Sequence, residues 1–452
     1  PGEARAAGAA GATSSEPAEG TPFPLTEVQT AYLVGRTGAY SDGGLGCTGY
    51  VEFDLDLAGL GIGDLRDQGE RAAVMDRLTQ AWDRVCAAHP MLRAVIGSDG
   101  TQSVRPGMQV PMQIELDPDD ERGERLRREL SARQYQIDSD RPMMDIVARI
   151  TDEGVVVHLS IDLLITDYTG IRSLLHDLDR ALDHPDERIA PPSLSFAAYQ
   201  RLRQARAATS GARAERERDL AWWRARMTRA PEPLRLAAPL ERPEEGAVSR
   251  RRSHHLPGPA WEAFTAACTE HALTPSSVLL ALLGAVGRRY GSQEESLVTV
   301  TAVQREQLAP DMARIVGDFT TAVLARVRCT HHLLEDARAT QQEIFDALEH
   351  GSVSGLEASR MIGARDGDGA RRARTVPVVF TSTVGASPLP GPRRLRVRPG
   401  SGISATPQVL LDVQITPAGD GVTVDWDSRV GGFDERLLDE AFADYCAAVD
   451  AL

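Results

Sequence analysis

The sequence predicts an α+β fold built as two lobes with a site between them. Three observations carry this reading. Strand-like and helix-like apolar patterns are mixed in both halves of the 452-residue chain. Helices rich in Arg and Glu, near 196–228, and a Pro-rich connector, 231–246, separate those halves. The first half also holds a strongly patterned strand, 155–165, that runs out at two carboxylates, Asp162 and Asp167. Clefts between lobes are where ligand sites commonly form.

Residues 1–21, rich in Ala, Gly, Glu and Pro without apolar periodicity, read as a flexible linker. The expected division is therefore that linker, an N-terminal lobe over 22–195, and a C-terminal lobe over 196–452. The chain does not begin with Met and is expected to be a piece of something larger. Thr26 and Gln29 have the spacing of a capping box and open the first helix. A strand at 50–55, a helix at 74–88 and strands near 145–150 and 155–165 follow. In the last of these every odd position is apolar, while the even ones include His158, Ser160 and Asp162. One face should pack on a core and the other should face a cavity. Tyr168-Thr169-Gly170 then turns the chain into a helix over 171–182. The second half is expected to hold helices near 258–271, 275–289, 333–349 and 354–363. Its strands fall near 295–303, 319–328, 376–382, 394–398, 407–416 and 421–426, before a final helix at 435–451.

Composition narrows the function. A hydrophobic share of 42% is enough for one large core or two coupled ones. The longest apolar stretch, 278–286, is far short of the roughly 18 residues a membrane span needs, so no membrane partner is expected. A net charge of −15 argues against nucleic acid. Cys47, Cys86, Cys268, Cys329 and Cys446 are scattered without metal-ligand spacing. No disulfide, no metal site and a cytoplasmic location are expected, since no secretory signal is visible either. All 50 basic residues are arginine, which excludes a catalytic lysine or Schiff base.

Carboxylates at the end of a buried strand are costly unless paired or used. An isolated D-x4-D is more often two helix-capping, salt-bridged aspartates than a site. Two further segments, Pro377-Val378-Val379-Phe380-Thr381-Ser382 and Thr406-Pro407-Gln408-Val409-Leu410-Leu411-Asp412-Val413-Gln414, change that balance. With them the chain resembles a heterocyclization domain of a nonribosomal peptide synthetase. That variant of the condensation domain carries D-x4-D where ordinary members carry H-H-x3-D-G. The likeness runs from about Phe23 to the C-terminus. It includes the opening Phe23-Pro24-Leu25-Thr26-Glu27-Val28-Gln29-Thr30-Ala31-Tyr32-Leu33-Val34-Gly35-Arg36, then His89-Pro90-Met91-Leu92-Arg93, Leu273-Thr274-Pro275-Ser276 and Val316-Gly317-Asp318-Phe319-Thr320. Leu33 and Leu410 stand where members usually carry Trp, and Val413 stands for a common His. Arg141-Pro142-Met143-Met144 lacks the usual Trp before Pro. These departures bear on substrate choice more than on the acids.

The resemblance implies two lobes like chloramphenicol acetyltransferase, in a V-shaped pseudo-dimer around a central tunnel. It implies two reactions on carrier-bound thioesters. The amine of a Cys, Ser or Thr first attacks an upstream acyl thioester, and the side-chain thiol or hydroxyl then closes on the new amide with loss of water. Asp412 and Thr381 are the positions tied to cyclodehydration. Alternation on a strand would put Gln408, Leu410, Asp412 and Gln414 on one face, with Gln414 able to orient a carbonyl. A carboxylate facing a cavity beside an apolar wall tends to hold its proton and to serve as acid or base. Asp162 is a candidate for a direct role. Asp167 is expected to be structural, with Arg93 as its ion partner. Ser382, Leu410, Gln408 and Leu33 are expected to line the substrate site. No cofactor is implied beyond phosphopantetheine arms on partner carrier domains. Expected partners are the upstream and downstream peptidyl carrier domains and a neighbouring adenylation domain, and the excised domain is expected to be monomeric.

Three motifs are set aside. Gly44-Leu45-Gly46-Cys47-Thr48-Gly49 spells G-x-G-x-x-G but precedes a strand, the reverse of a dinucleotide site. Asp366-Gly367-Asp368-Gly369 lacks the later Glu of a calcium loop and reads as a turn. His331-His332-Leu333-Leu334-Glu335-Asp336 imitates H-H-x3-D, but its apolar spacing is that of a helix start. About four residues of strand hold His158 and Asp162 roughly 13 Å apart, so they form no dyad. His158 is read as a core histidine. Two other readings stand beside the enzyme: a condensation domain that makes amides without closing rings, and a silent domain that only docks carriers.

Overall fold

A computed structural model describes residues 16–37, 44–116, 120–236, 249–363, 376–385, 393–398 and 401–452. The expected turn at Asp366–Gly369 and most of the linker and Pro-rich connector lie outside them. The first half holds β1 (Phe23–Pro24), α1 (Glu27–Gly35), β2 (Thr48–Leu55), α2 (Gln68–Ala88), β3 (Ala94–Ile96), β4 (Thr101–Val104), β5 (Gln113–Leu116), α3 (Asp120–Ser131), β6 (Met144–Ile150), β7 (Val155–Asp162) and α4 (Tyr168–Asp183). Helices α5 (Phe196–Ala207) and α6 (Ser210–Met227) lead to β8 (Ser249–Leu256), α7 (Gly258–Glu270), α8 (Pro275–Gly291), β9 (Glu295–Val303), β10 (Thr320–Arg328), α9 (Leu333–Glu349) and α10 (Gly355–Gly363). Then come β11 (Val378–Ser382), β12 (Leu395–Val397), β13 (Ile403–Ala405), β14 (Leu411–Ala418), β15 (Gly421–Arg429) and α11 (Glu435–Asp450).

Side-chain caps fix the helix starts that position the site. Thr26 and Gln29 form the expected capping box of α1. Asp167 is the N-cap of α4, its Oδ1 accepting from Gly170 N at 2.7 Å. Thr274 caps α8 just ahead of Pro275.

Two six-stranded sheets organise the lobes. The first runs β12-β2-β7-β6-β5, with β13 also paired to β2. The second runs β10-β9-β11-β14-β15-β8, parallel across β9, β11 and β14 and antiparallel elsewhere. The odd residues of β7, Val157, Leu159 and Ile161, join α2 and α4 in one core. Its even face is divided: Val156 and His158 line a polar cavity, as expected, while the end toward Ser160 is closed. Helix α3 covers it, with Ser160 Oγ donating to Leu130 O at 2.8 Å and Leu126 and Leu130 packed on Tyr50 and Val147. The second core lies between α8, α11 and the apolar face of the second sheet, around Trp426, Phe380 and Val413.

The lobes do not separate cleanly at 195/196. Phe196–Tyr199 of α5 and Met312, Ile315, Val316 and Phe319 from the second half all belong to the first core. Strands β12 and β13 cross over in the same direction to pair with β2.

One buried carboxylate ties these incursions together. Asp167 pairs with Arg305 at 2.7 Å and its Oδ2 accepts from Phe319 N at 3.3 Å. Arg305 also donates to Met312 O and Ile315 O, both at 2.8 Å, and stacks over the Phe319 ring at 3.8 Å. Arg93, the partner expected from sequence, is not there. It donates to Cys86 O and pairs with the half-exposed Glu19, both at 2.8 Å. Arg93 is engaged by α2 and Glu19 instead, and the true partner arrives from the other half of the chain.

This assignment separates the two arginines by stability. Arg305→Ala leaves Asp167 charged and buried, and should lower unfolding stability by about 3–5 kcal/mol. Arg93→Ala breaks a rim pair and should cost about 1 kcal/mol or less. Urea unfolding of both variants checks this, and comparable losses would contradict it.

Candidate functional site

The second sheet turns a polar face toward the first lobe, and alternation along β14 makes it. Leu411, Val413 and Ile415 are fully buried in the second core, so Asp412 and Gln414 point the other way. Register extends this face across the sheet. Thr381 of β11 and Asp425 of β15 flank Gln414, while Val379 and Asp427 flank Asp412. On β8, Ser253 stands opposite Asp425 and Arg251 opposite Asp427.

Asp412 is 8% exposed and accepts three hydrogen bonds. Thr381 Oγ1 donates to Oδ1 at 2.9 Å, while Ser404 Oγ and Gln414 Nε2 donate to Oδ2 at 3.0 and 2.8 Å. Because Thr381 spends its proton on Asp412, Thr301 Oγ1, 2.9 Å away, is left to donate to Thr381. Ser404 comes from β13, which is paired to the first lobe's β2, so both lobes contribute to holding this acid.

Charge around Asp412 is arranged unevenly. Burial, and then the neighbouring Asp427 carboxylate, push Asp412 up to about 6 against the pull of its three donors. Asp427 is also raised by burial, with Arg251 opposing it. Arg251 grips Asp427 with two bonds, Nε to Oδ1 at 2.7 Å and Nη2 to Oδ2 at 2.6 Å, and reaches Asp425 at 3.4 Å. From the first lobe, Tyr32 of α1 lies within electrostatic reach of both Asp412 and Asp318, and burial holds its hydroxyl protonated. Asp318 is buried and raised to about 8, chiefly by desolvation.

Thr381, Asp412 and Gln414 therefore meet, while the other expected site residues do not join them. Asp162 is fully buried beside Cys47, ion-paired to Arg36 and accepting from Leu164 N at 2.9 Å. Its contacts are those of a structural carboxylate. Gln408 and Leu410 precede β14, because the chain turns at Gln408 with φ 66° and the strand begins only at Leu411. The common face expected for 408–414 thus holds only from Asp412 on. Leu33 is buried in the first core, and Val413 points into the second. Ser382 alternates away from Thr381 and accepts from Ser276 Oγ at 2.7 Å. His158 Nδ1 bonds Tyr50 Oη at 2.8 Å, but Nε2 has no partner among the described residues and borders a separate polar cavity of about 390 Å³.

Sequence reading missed Ser404, Arg251, Asp427 and Thr301. The alternation Val422-Thr423-Val424-Asp425-Trp426-Asp427 offered a signal for Asp427, one residue past the expected strand end. Arg251 sits in a charged run that shows no apolar period. The His331-His332 pair does start a helix, α9, with Asp336 accepting from Thr330 N at 2.8 Å. No group of metal-ligating side chains is found among the described residues. A carboxyl that titrates near neutrality, with hydroxyl and amide donors on both oxygens, is equipped to shuttle a proton in a water-poor site.

Comparison with known proteins gives a consistent picture. A family model described as the condensation domain matches residues 70–357. Pyochelin synthetase PchF of Pseudomonas aeruginosa is 32% identical over 437 residues, covering 94% of this chain and 23% of the relative. Phenyloxazoline synthase MbtB of Mycobacterium tuberculosis is 31% identical over 439 residues, covering 94% and 29%. The chain thus spans about a quarter of the length of the curated relatives it matches. The EpoB cyclization-docking bidomain from Sorangium cellulosum superposes with a TM-score of 0.79 at 27% identity, over 95% of this chain and 84% of that one.

The raised Asp412 makes a prediction that needs no substrate. Folding raises its proton affinity from the ordinary 3.8 to about 6, so the native state loses stability as pH rises through that window. Asp412→Asn removes the charge, and the hydroxyl of Thr381 can turn to accept from the new amide. The variant should gain on the wild type by about 2–3 kcal/mol between pH 4 and pH 7. Unfolding titrations at both pH values measure this, and a constant difference would contradict it.

Proposed function

The chain belongs to the condensation domain family, and from that premise we propose that it is a heterocyclization domain of a nonribosomal peptide synthetase. Its substrates would be two thioesters held on the phosphopantetheine arms of carrier domains. An upstream acyl or aminoacyl group condenses with a carrier-bound Cys, Ser or Thr, and the product cyclises to a thiazoline or oxazoline. The observation that carries this reading is the Asp412 carboxyl with Thr381 and Gln414, on the polar sheet face that the first lobe's Ser404 completes.

In the first step the acceptor amine forms a C–N bond to the acyl carbon. The C–S bond breaks, and the upstream thiol leaves with the proton that the amine gives up. In the second step the thiol or hydroxyl adds to the new amide carbon. Asp412 takes a proton from the nucleophile or the amide nitrogen and returns one to the former carbonyl oxygen. That oxygen leaves as water with both protons while the C=N bond forms. A carboxyl that titrates at about 6 can both accept and donate near neutral pH. Thr381 and Gln414 supply the donors that hold its ionised form, and the Thr301 hydroxyl backs Thr381. The relatives' names point the same way, since one is a phenyloxazoline synthase and one solved structure is a cyclization domain.

Intact mass of a downstream carrier, loaded in turn with Cys, Ser and Thr and incubated with the domain and an acyl-loaded upstream carrier, tests the reading. The wild type should give a condensed product lighter by one further water. Asp412→Ala should accumulate open-chain amide, with ring closure reduced by at least 10²-fold. Acylated product without water loss from the wild type would leave plain condensation.

A further inference from the structure

The network beneath Asp412 contains a cation, Arg251, with no part in the chemistry above. We propose that Arg251 is a positioning residue for ring closure, locking the Gln414 amide so that its NH2 points at Asp412 while neutralising Asp427 alongside. This rests on the functional reading just given.

Arginine only donates, so the Gln414 atom 3.1 Å from Arg251 Nη2 must be the amide oxygen. That fixes the other end of the amide. Nε2 lies 2.8 Å from Asp412 Oδ2, 2.7 Å from Ser404 Oγ and 3.2 Å from Asp427 Oδ2. The same Nη2 holds Asp427, so one arginine sets the amide's direction and compensates the carboxylate facing Asp412 across the strand pair. Lysine, with a single charged point, cannot span both. The segment leading into β13 closes over this group. A Cβ on Gly402 would stand 3.1 Å from Arg251 Nη1, and the Arg251 side chain is only 10% exposed. Ser404 N also donates to Asp427 Oδ2 at 3.1 Å, so the arginine, through Asp427, steadies the strand that brings Ser404 to the acid.

Among the described residues, the charged and titratable groups facing Asp412 are Asp427 and Asp425 on β15, Arg251 on β8 and Tyr32 on α1. Strands β11 and β13 contribute only the hydroxyls of Thr381 and Ser404. Removing Arg251 deletes the one cation of this set. Asp412 then faces Asp427 unneutralised and keeps its proton to higher pH.

The experiment measures the ring-closed share of condensed product between pH 5 and 9, for wild type, Arg251→Gln and Arg251→Lys, with thermal melts alongside. In Arg251→Gln the ring-closed share should fall at least tenfold, and the midpoint of its pH profile should rise by about one unit. Arg251→Lys should keep the wild-type midpoint and recover only part of the ring-closed share. An Arg251→Gln profile with the wild-type midpoint overturns the proposal, whether activity is retained or amide and ring fall together. If Arg251→Gln does not fold, Arg251→Lys decides, and a wild-type ring-closed share there overturns it. A wild type that makes only open-chain amide removes the functional reading and this proposal with it. A ring-closing wild type beside an indifferent Arg251→Gln removes the proposal alone.

Discussion

The Asp167–Arg305 ion pair is the constraint on which the arrangement of both lobes depends. Asp167 ends the turn after the central strand of the first sheet and caps α4, which fixes one of its oxygens on Gly170 N. Arg305 lies just beyond β9 of the second sheet, and its other donors hold the carbonyls of Met312 and Ile315. One guanidinium thus inserts a whole segment of the second half into the first core. A buried pair of this kind adds little net stability over an apolar substitute, but losing one partner is costly, so the segment that carries Arg305 is held where Asp167 is. With the segment seated, α1 and β13 of the first lobe stand against the polar face of the second sheet.

That face shows an economy of acids. Asp412 and Asp427 stand directly opposite each other on adjacent strands, an arrangement that costs stability where both are ionised. The structure tolerates it by fixing Arg251 to one member and neutral donors to the other. The member held by hydroxyls and an amide retains its proton toward neutrality. The member held by the arginine serves as scaffold, bonded to Arg251, Ser404 N and the Gln414 amide. Two identical side chains acquire different roles through their partners alone, which is how paired carboxyls divide work in many active sites.

Much of this was legible in the sequence because it is local. The strands of the second sheet around Thr381 and Asp412, the helices α4, α8, α9 and α11, and the alternation that buries Val413 opposite Asp412 all follow from period and capping. What escaped has physical reasons. Helix α3 presents only Leu126 and Leu130 amid arginine and glutamate, and β8 reads Ser-Arg-Arg-Arg-Ser-His-His-Leu, so neither shows a clear apolar period. The turn at Gln408 has no glycine to announce its positive φ, so the strand seemed to begin too early. Arg93 and Arg305 are equally plausible partners for Asp167 in a linear text. Only the path of the chain between the lobes distinguishes them.

The crossing of β12 and β13 onto β2 also bears on how the chain is made. Glu52 and Ser401, hydrogen-bonded at 3.3 Å, are 349 residues apart in sequence. At the ~5–20 residues per second of ribosomal elongation, β2 waits tens of seconds for the strands that complete its outer edge. During that interval the nascent first lobe carries an unpaired strand edge, the kind of surface that recruits other chains. The buried polar residues of β2, Glu52 among them, make that edge a poor match for a foreign hydrophobic strand. Synthesis of this protein therefore includes a period of exposure that ends only when residues 395–405 emerge.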